Sequence, residues 1–124
     1  MITLKNVDYD NFWEIIDLCV YENQRDFLTS NAVSLAQAKV QQECIPLAIY
    51  NDEKPIGFAM YGIDRKDGQY WIYRFMIDRR YQSKGFGRAS FKMLTELIKQ
   101  DKKYNKIYNK SQEFITIKIK IFTI

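Results

Sequence analysis

A glycine-rich octapeptide, Gln82 to Ala89, contains the residues of this chain that are best suited to binding an anion. It follows an apolar, aromatic run from Tyr70 to Ile77, which predicts a strand, and it opens a segment with helical periodicity. The first amides of a helix have no partner within the helix, and the helix dipole is positive at that end. A strand, a glycine loop and a helix in this order therefore predict a phosphate-binding site.

The residue types within the loop support this interpretation. Gly85 and Gly87 let the backbone approach a ligand that a Cβ would obstruct. Lys84 and Arg88 add positive charge near the same helix start. The structural alternative is an ordinary helix start whose glycines only serve a tight turn. The helix itself is predicted from apolar residues on one face, namely Phe86, Ala89, Met93, Leu94, Leu97 and Ile98.

Two common nucleotide-binding motifs do not fit the spacing. A dinucleotide fingerprint requires a third glycine where Ser90 stands, and an acidic residue at the end of a following strand. Asp101 is at the right distance, but it directly follows the predicted helix. A P-loop closes with Gly-Lys-Ser/Thr, whereas here Lys84 precedes Gly85. The phosphate ligand must therefore be of another kind.

The spacing Gln82-x-x-Gly85-x-Gly87 resembles the cofactor motif of the GNAT superfamily of N-acetyltransferases, Gln/Arg-x-x-Gly-x-Gly/Ala, at every defined position. The motif alone is moderately specific, and the strand before it and the helix after it strengthen the match. The resemblance covers the chain from about Ile2 to Tyr108.

Three further segments resemble the spermine/spermidine (polyamine) acetyltransferase branch of that superfamily. They are Arg74 to Asp78, the pair Tyr81-Gln82, and the upstream strand Pro55 to Gly62. The resemblance implies an acetyl-CoA-dependent transfer of an acetyl group to a primary amine of a small molecule, with a polyamine as the candidate acceptor.

The resemblance also implies which residues bind acetyl-CoA. The strand residues around 75–77 would offer backbone groups to the pantetheine and polarise the thioester carbonyl, and the amides of residues 83–88 would take the pyrophosphate. The cofactor residues predicted in this way are Phe75, Met76, Ile77, Gln82, Ser83, Lys84, Gly85, Phe86, Gly87 and Arg88.

Candidates for proton transfer are few, because the chain contains no histidine. This excludes a Ser-His-Asp or Cys-His nucleophilic site and removes the commonest zinc ligand, whereas direct transfer from thioester to amine remains compatible. Glu22, Asp26 and Glu43 are candidate bases, since the helices before the sheet border the acceptor cleft in the family. Tyr104 and Tyr108 do not match the family position of the general acid, which stays unassigned.

Composition limits the other possibilities. With 124 residues and 47% hydrophobic residues the chain predicts one globular domain, and it has no apolar run of the ~20 residues that a membrane span needs. Cys19 and Cys44 lack metal-site spacing and suit a reducing, cytoplasmic compartment. The net charge of +4 raises a nucleic-acid-binding module as an alternative, but much of the excess lies between Lys99 and Lys120 and fits a solvated surface. We expect a small-molecule amine as partner, no nucleic acid and no membrane, with a homo-oligomer left open.

The predicted order of elements is β, α, α, β, β, β, α, which implies an α+β fold with a mostly antiparallel sheet flanked by helices. Capping boxes at Asn11 and Ser34 predict the starts of the first two helices, the second of which ends by Pro46. Apolar runs over residues 47–50 and 56–63 predict the two strands that precede the motif strand.

The C-terminal segment departs from the family pattern. The family continues with a strand, a helix that carries an Asn and a Tyr, and a closing hairpin, whereas residues 115–121 alternate strictly between Ile and Thr or Lys. This predicts an incomplete domain over residues 1–108 and a divergent tail over 109–124 that forms one strand. We interpret the change near Asn109 as a truncation or frameshift, so a CoA-binding remnant with little activity is the alternative function.

Overall fold

Five strands form one sheet in the part of the chain that the computed structural model describes, which is residues 1–27, 29–101 and 118–119. The strands lie in chain order, with antiparallel pairing from β1 to β4 and parallel pairing between β4 and β5. The elements are β1 (Ile2–Asn6), α1 (Phe12–Asp17), a first 3₁₀ segment (Glu22–Phe27), α2 (Asn31–Val40), β2 (Cys44–Asn51), β3 (Lys54–Ile63), β4 (Tyr70–Ile77), a second 3₁₀ segment (Arg79–Tyr81), α3 (Phe86–Lys99) and β5 (Lys118–Ile119).

Helices cover both faces of this sheet, so the core has two layers. On one face, α3 packs Leu94 and Ile98 against strand residues that include Phe75. On the other face, α1 and α2 cover a second cluster that includes Ile15 and Met76. Because successive strand residues point to opposite faces, the central strands β2 and β3 are apolar almost throughout and serve both clusters. The predicted α+β fold and the predicted order of elements up to α3 are confirmed.

The predicted start of α1 is confirmed, since Asn11 is its N-cap residue, whereas the predicted capping bond of Asn11 and the predicted start of α2 are wrong. Asn11 makes no side-chain cap bond to α1. Instead, the nitrogen of its side-chain amide donates to the backbone carbonyl oxygen of Asn6 at 3.0 Å and holds the turn that follows β1. The start of α2 lies four residues earlier than predicted and is capped by Ser30, which accepts from the amide of Val33. Ser34 is buried inside this helix.

We expected the second helix to end at Pro46. In the structure Pro46 lies within β2, opposite Met60. This is possible because β1 pairs with β2 only as far as Leu47. Beyond that residue β2 has no neighbour on its β1 side in the described residues, so the missing N–H of proline costs the sheet no hydrogen bond there.

A β-bulge in β4 changes which residues face the two helical layers. The register of β3 against β4 shifts so that Met60 pairs with Arg74 and Tyr61 with Ile72, which leaves Tyr73 as an extra residue. Simple alternation would place Arg74 on the same face as Ile72, towards α3. Instead, the Arg74 guanidinium donates to the Ser34 hydroxyl at 3.1 Å on the α2 side.

The buried carboxylate of Asp78 ties the end of β4 to the end of α1. One oxygen accepts from the backbone N–H of Cys19 at 3.0 Å, and the other accepts from the backbone N–H and the Nε of Arg80 at 3.0 and 2.8 Å. The N–H of Arg79 donates to the carbonyl oxygen of Cys19 at 2.8 Å. Cys19 therefore lies outside α1, in a segment that begins with Leu18 in an extended conformation.

The pKa of Asp78 reports these contacts. Burial by itself would raise the pKa, but the hydrogen bonds from Arg80 and from the amide of Cys19 hold it below its ordinary value. The carboxylate is therefore charged in the folded protein and stabilises it in that form.

The tail prediction lies mainly outside the described residues. Within the predicted tail strand the structure describes Lys118–Ile119, which pairs with Trp71 and Ile72 of β4. The extent of the predicted strand and the domain boundary at residue 108 stay predictions.

We expect Asp78→Asn to lower the free energy of unfolding by about 2–4 kcal/mol at pH 7, because the amide nitrogen that replaces one carboxylate oxygen would face either the N–H donor of Cys19 or the donors of Arg80, and the negative charge that pairs with Arg80 would be lost. Since the folded-state pKa is lower than that of the unfolded chain, the contribution is complete above about pH 4 and is lost as the pH falls through the folded-state value. Urea unfolding at pH 7 and at pH 2 measures the free energy of unfolding of the wild type and of Asp78→Asn. The difference in free energy between the two proteins should be smaller at pH 2. The exposed Asp17→Asn is the matched control, and equal stability of Asp78→Asn and wild type at pH 7 would contradict the assignment.

Candidate functional site

The loop after β4 reaches α3 through two residues in the left-handed region of backbone conformation. Ser83 has a φ of 63° and Gly85, the residue before the first turn of α3, has a φ of 85°. No side chain caps the amides of this helix start. Since the first-turn amides of a helix have no partner within the helix, those of residues 86–88 are available to an external acceptor.

Gln82 folds the loop back onto the strand from which it came. Its Nε2 donates to the carbonyl oxygen of Ile77 at 2.9 Å, so the side chain bridges the second 3₁₀ segment. The same amide group pairs with the side chain of Gln24: the Nε2 of Gln82 donates to the Oε1 of Gln24 at 3.1 Å, and the reciprocal bond measures 3.3 Å. The loop is therefore held both by its own strand and by the first 3₁₀ segment.

A groove of about 560 Å³ lies between these parts. Six of the ten predicted cofactor residues line it, and they are Ile77, Gln82, Ser83, Gly85, Gly87 and Arg88, to which the fold adds Gln24. Sequence reasoning missed Gln24, because a glutamine within a polar stretch carries no periodic or spacing signal.

The other four predicted cofactor residues lie around the groove. Phe75 is fully buried beneath α3, with its ring 5.5 Å from that of Phe91. Phe86 packs partly against the same cluster, and Lys84 is exposed on the loop. Met76 points to the opposite face of the sheet, so a ligand in the groove could reach its backbone but not its side chain.

A second cavity of about 280 Å³ adjoins the groove on the α1 and α2 side of β4. Its wall includes Met76 of β4, Cys19 after α1, Arg25 of the first 3₁₀ segment, and Asn31 at the start of α2. The lining is mostly apolar, and the guanidinium of Arg25 lies 3.9 Å from the sulfur of Cys19. The two cavities thus lie on either side of the end of β4.

The backbone and the charge of the groove suit a diphosphate. A side chain at position 85 would strain the left-handed turn that aims the amides into the groove. Arg88 in the wall of the groove and the exposed Lys84 supply positive charge where the helix dipole is also positive. The residues present therefore suit the pyrophosphate of a coenzyme A molecule.

The three candidate bases lie in different places. Glu22 is exposed at the start of the first 3₁₀ segment; Asp26 belongs to that segment, but its side chain is outside what the structure describes. Glu43 precedes β2, with its carboxylate 3.1 Å from the Nε of Arg65. The length of β4 separates Glu43 from Ile77, roughly 20 Å for a strand of this length. All three assignments stay predictions, and Tyr104 and Tyr108 lie outside the described residues.

Tyr73, the extra residue of the bulge, was not singled out from the sequence. Its hydroxyl donates to the Asp64 carboxylate at 3.3 Å. Burial, and then the negative charge of Asp64, raise the pKa of Tyr73 above its ordinary value. Its phenol is therefore protonated across the neutral pH range.

The described part of the chain has neither a cluster of metal ligands nor a helix that could span a membrane. Within residues 1–27 and 29–101, no three His, Cys, Asp or Glu side chains are grouped in a way that could hold a metal ion. None of the helices in the described part of the chain has the length and hydropathy that a membrane crossing requires.

Comparison with known proteins identifies a matching family and related proteins. The model of the acetyltransferase (GNAT) family matches residues 9–114. The chain is 38% identical, over 113 residues, to the spermine/spermidine N(1)-acetyltransferase of Bacillus subtilis (strain 168), which covers 86% of this chain and 74% of that protein.

Two solved structures share the fold. The paia N-acetyltransferase from Thermoplasma acidophilum in complex with coenzyme A has a TM-score of 0.55 at 12% identity, over 80% of this chain and 72% of the other. A possible acetyltransferase from Clostridium difficile 630 has a TM-score of 0.57 at 16% identity, over 98% and 80% of the two chains.

Replacing Gly85 with alanine tests whether the turn at Gly85 matters for ligand binding and not only for stability. We expect Gly85→Ala to cost about 1 kcal/mol of stability and to weaken coenzyme A binding at least roughly tenfold, because the amides leave their positions. Gly68→Ala is a matched control, since Gly68 also has a positive φ of 70° and, like Gly85, no atom near an added Cβ. It should lose similar stability without losing affinity. Calorimetric titration with coenzyme A measures the affinity of each variant. Equal affinities of the two variants would contradict the assignment of the loop.

Proposed function

This chain belongs to the acetyltransferase (GNAT) family, and we propose that it transfers the acetyl group of acetyl-CoA to a primary amine of a polyamine such as spermidine. GNAT enzymes use acetyl-CoA as the acetyl donor, and the chain is an N-acetyltransferase by family. The proposal adds the acceptor and the residues that bind the donor.

The observation that carries the proposal is the uncapped start of α3 beside the left-handed Gly85. In our proposal the amides of residues 83–88 bind the pyrophosphate, and Lys84 and Arg88 neutralise its charge. The backbone of residues 75–77 orients the pantetheine arm, and Gln82 keeps the loop against the end of that strand. The hydrogen bonds of Gln82 hold the loop in place before binding, which lowers the ordering cost of binding.

The strand β4 supplies the positioning for the transfer. Acetyl-CoA would supply an activated thioester: the neutral amine of the acceptor would form a bond to its carbonyl carbon, and the carbon–sulfur bond would break and release coenzyme A as a thiolate that takes up a proton. A close approach of β3 supports β4 at this point, because a Cβ on Gly57 would collide with the carbonyl oxygen of Met76. A carboxylate or a water relay accepts the proton of the amine, with Glu22, Asp26 and Glu43 as the candidates.

The charge of the segment beside the second cavity supports a cationic acceptor. Residues 8–26 contain six acidic residues and one basic residue, in a chain whose net charge is +4. This segment includes α1, and residues on it line the second cavity. None of these acidic residues lines the cavity itself, but the segment as a whole would attract polycations and raise their local concentration near it. The acidic residues are Asp8, Asp10, Glu14, Asp17, Glu22 and Asp26.

Two further predictions belong to the same proposal. We place the enzyme in the cytoplasm, since its two cysteines, Cys19 and Cys44, form no disulfide with each other and suit a reducing compartment. We also keep residues 1–108 as the acetyltransferase domain, with a small-molecule amine as the acceptor and a homo-oligomer as an open state of assembly.

Thermal unfolding with and without acetyl-CoA, followed by an assay of free thiol with spermidine, tests the proposed function. We expect acetyl-CoA to raise the midpoint of unfolding, because a ligand that binds only the folded state stabilises it. Thiol release that depends on spermidine then identifies the acceptor. Stabilisation without release would favour a protein that binds coenzyme A but does not catalyse transfer, and an absence of stabilisation would contradict the cofactor site.

Charge removal at the loop provides a sharper test of the same site. The double variant Lys84→Ala, Arg88→Ala should bind acetyl-CoA roughly tenfold to a hundredfold more weakly, since two charge-assisted contacts to phosphate are lost. Lys92→Ala is the matched control, because Lys92 is exposed on α3 one turn beyond Arg88. Its affinity should equal that of the wild type, and a loss as large as that of the double variant would mean that general charge, not the loop, binds the ligand.

A further inference from the structure

A third cavity, of about 570 Å³, lies at the start of α1. The turn after β1, the first residues of α1 and one residue of α2 form its walls. It shares no lining residue with the coenzyme A groove or with the second cavity, so it is a separate feature of the surface. Its lining residues are Val7, Asp8, Tyr9, Phe12, Trp13 and Leu35.

Two aromatic side chains of this cavity are exposed to an unusual degree. Tyr9 is 95% exposed and Trp13 is 72% exposed. The ring of Trp13 lies edge-to-face with that of the partly buried Phe12, with 5.2 Å between the ring centroids. Since α1 buries Ile15 in the core, core packing does not account for the exposed tryptophan. The two rings instead suit a ligand with apolar and cationic parts, because methylene groups pack on a ring and an ammonium is attracted to its face.

The segment that forms most of this cavity is negatively charged. Residues 8–24 include five acidic residues and no lysine or arginine, in a chain whose net charge is +4. Asp8 lines the cavity, and its Oδ1 accepts from the backbone N–H groups of Asp10 and Asn11 at 2.9 and 3.0 Å. Its Oδ2 forms no hydrogen bond or ion pair within the described part of the chain. The turn therefore holds a carboxylate whose second oxygen is available to a cation.

We propose that the third cavity is a binding site for a polyamine, a flexible alkyl chain that carries several protonated amines. One ammonium group binds the Oδ2 of Asp8, and the methylene chain lies across the rings of Trp13 and Tyr9. The lining excludes other classes of ligand, since the carboxylate repels anions and a single carboxylate supplies too few oxygens for a divalent metal ion. The inference shares its class of ligand with the proposed function, but it uses no residue of the coenzyme A groove.

The position of this site gives it a role beside the proposed reaction. Because α1 has six residues, its two ends lie about 9 Å apart. The third cavity lies at the start of α1, whereas Leu18 and Cys19, which follow its end, line the second cavity. A polyamine bound at the start of α1 is therefore kept close to the proposed acceptor site, which raises its local concentration there.

Tryptophan fluorescence measures binding at this site directly. The chain has two tryptophans, so the variant Trp71→Phe leaves Trp13 as the only reporter. We expect spermidine, added without acetyl-CoA, to change the fluorescence of this variant in a saturable way. Hexane-1,6-diol, an uncharged chain, should produce no saturable change, because the carboxylate and the rings select a cation.

Removal of the charge of Asp8 tests the proposed contact. Asp8→Asn keeps an oxygen that can accept from Asp10 and Asn11, so the turn should be retained. In the Trp71→Phe background we expect this change to weaken spermidine binding about two- to fivefold, as expected for an exposed ion pair. Glu53→Gln is the matched control, since Glu53 is an exposed carboxylate in the turn between β2 and β3, and it should leave the affinity unchanged.

A second variant removes the ring instead of the charge. Trp13→Leu keeps an apolar side chain at an exposed position, so it should fold even if Asp8→Asn does not. Calorimetric titration with spermidine should show binding about two- to fivefold weaker than in the wild type, because the attraction between ring and ammonium is lost. Unchanged affinity of Trp13→Leu would overturn the proposal.

The outcomes separate this inference from the proposed function. Fluorescence of Trp13 that does not respond to spermidine, or an Asp8→Asn variant that binds as tightly as its parent, would overturn the inference and leave the transfer reaction untouched. A fluorescence change that follows protein concentration instead of spermidine would identify an interface between copies of the chain and also overturn it. Binding that depends on Asp8 and Trp13, without release of thiol in the transfer assay, would support the inference and contradict the polyamine as acceptor.

Discussion

The buried carboxylate of Asp78 is the constraint on which the site depends. It closes the end of β4, accepts hydrogen bonds from two separate segments, and thereby fixes where the chain leaves the sheet. Without this anchor the loop that follows would have no defined start, and the extended segment after α1 would lose its attachment to β4. The glycines and cations of the loop can be effective only because their position relative to the strand is already set.

The strand β4 serves two cavities because of its bulge and its alternation. Phe75 and Ile77 pack under α3, whereas Met76 faces α1 and α2 and the bulge turns Arg74 towards Ser34. The backbone of β4 thus faces the proposed coenzyme A site, while its side chains pack against the helices on both faces of the sheet. A two-substrate transfer requires two sites that meet at one reacting centre, and our proposal places both at the end of β4, where Ile77 lines the groove and Met76 lines the second cavity.

The sequence predicted the local parts of this site and missed the long-range ones. The loop from Gln82 to Gly87 was predictable because spacing, left-handed glycine and helix start all act within a few residues. Gln24 was not, since its pairing with Gln82 spans 58 residues and depends on the fold. The start of α2 was misplaced for a similar reason: Ser30 and Ser34 are both suitable caps, and the contact with Arg74 decides between them.

The measurement that tests the central claim most directly is a titration of isotope-labelled protein with coenzyme A, followed by the NMR shifts of the backbone amides. The account predicts that the largest saturable shifts fall on residues 83–88, with smaller shifts along residues 75–77, because those amides would gain phosphate or pantetheine as acceptors. Saturable shifts confined to other parts of the chain, with the loop amides unchanged, would contradict it.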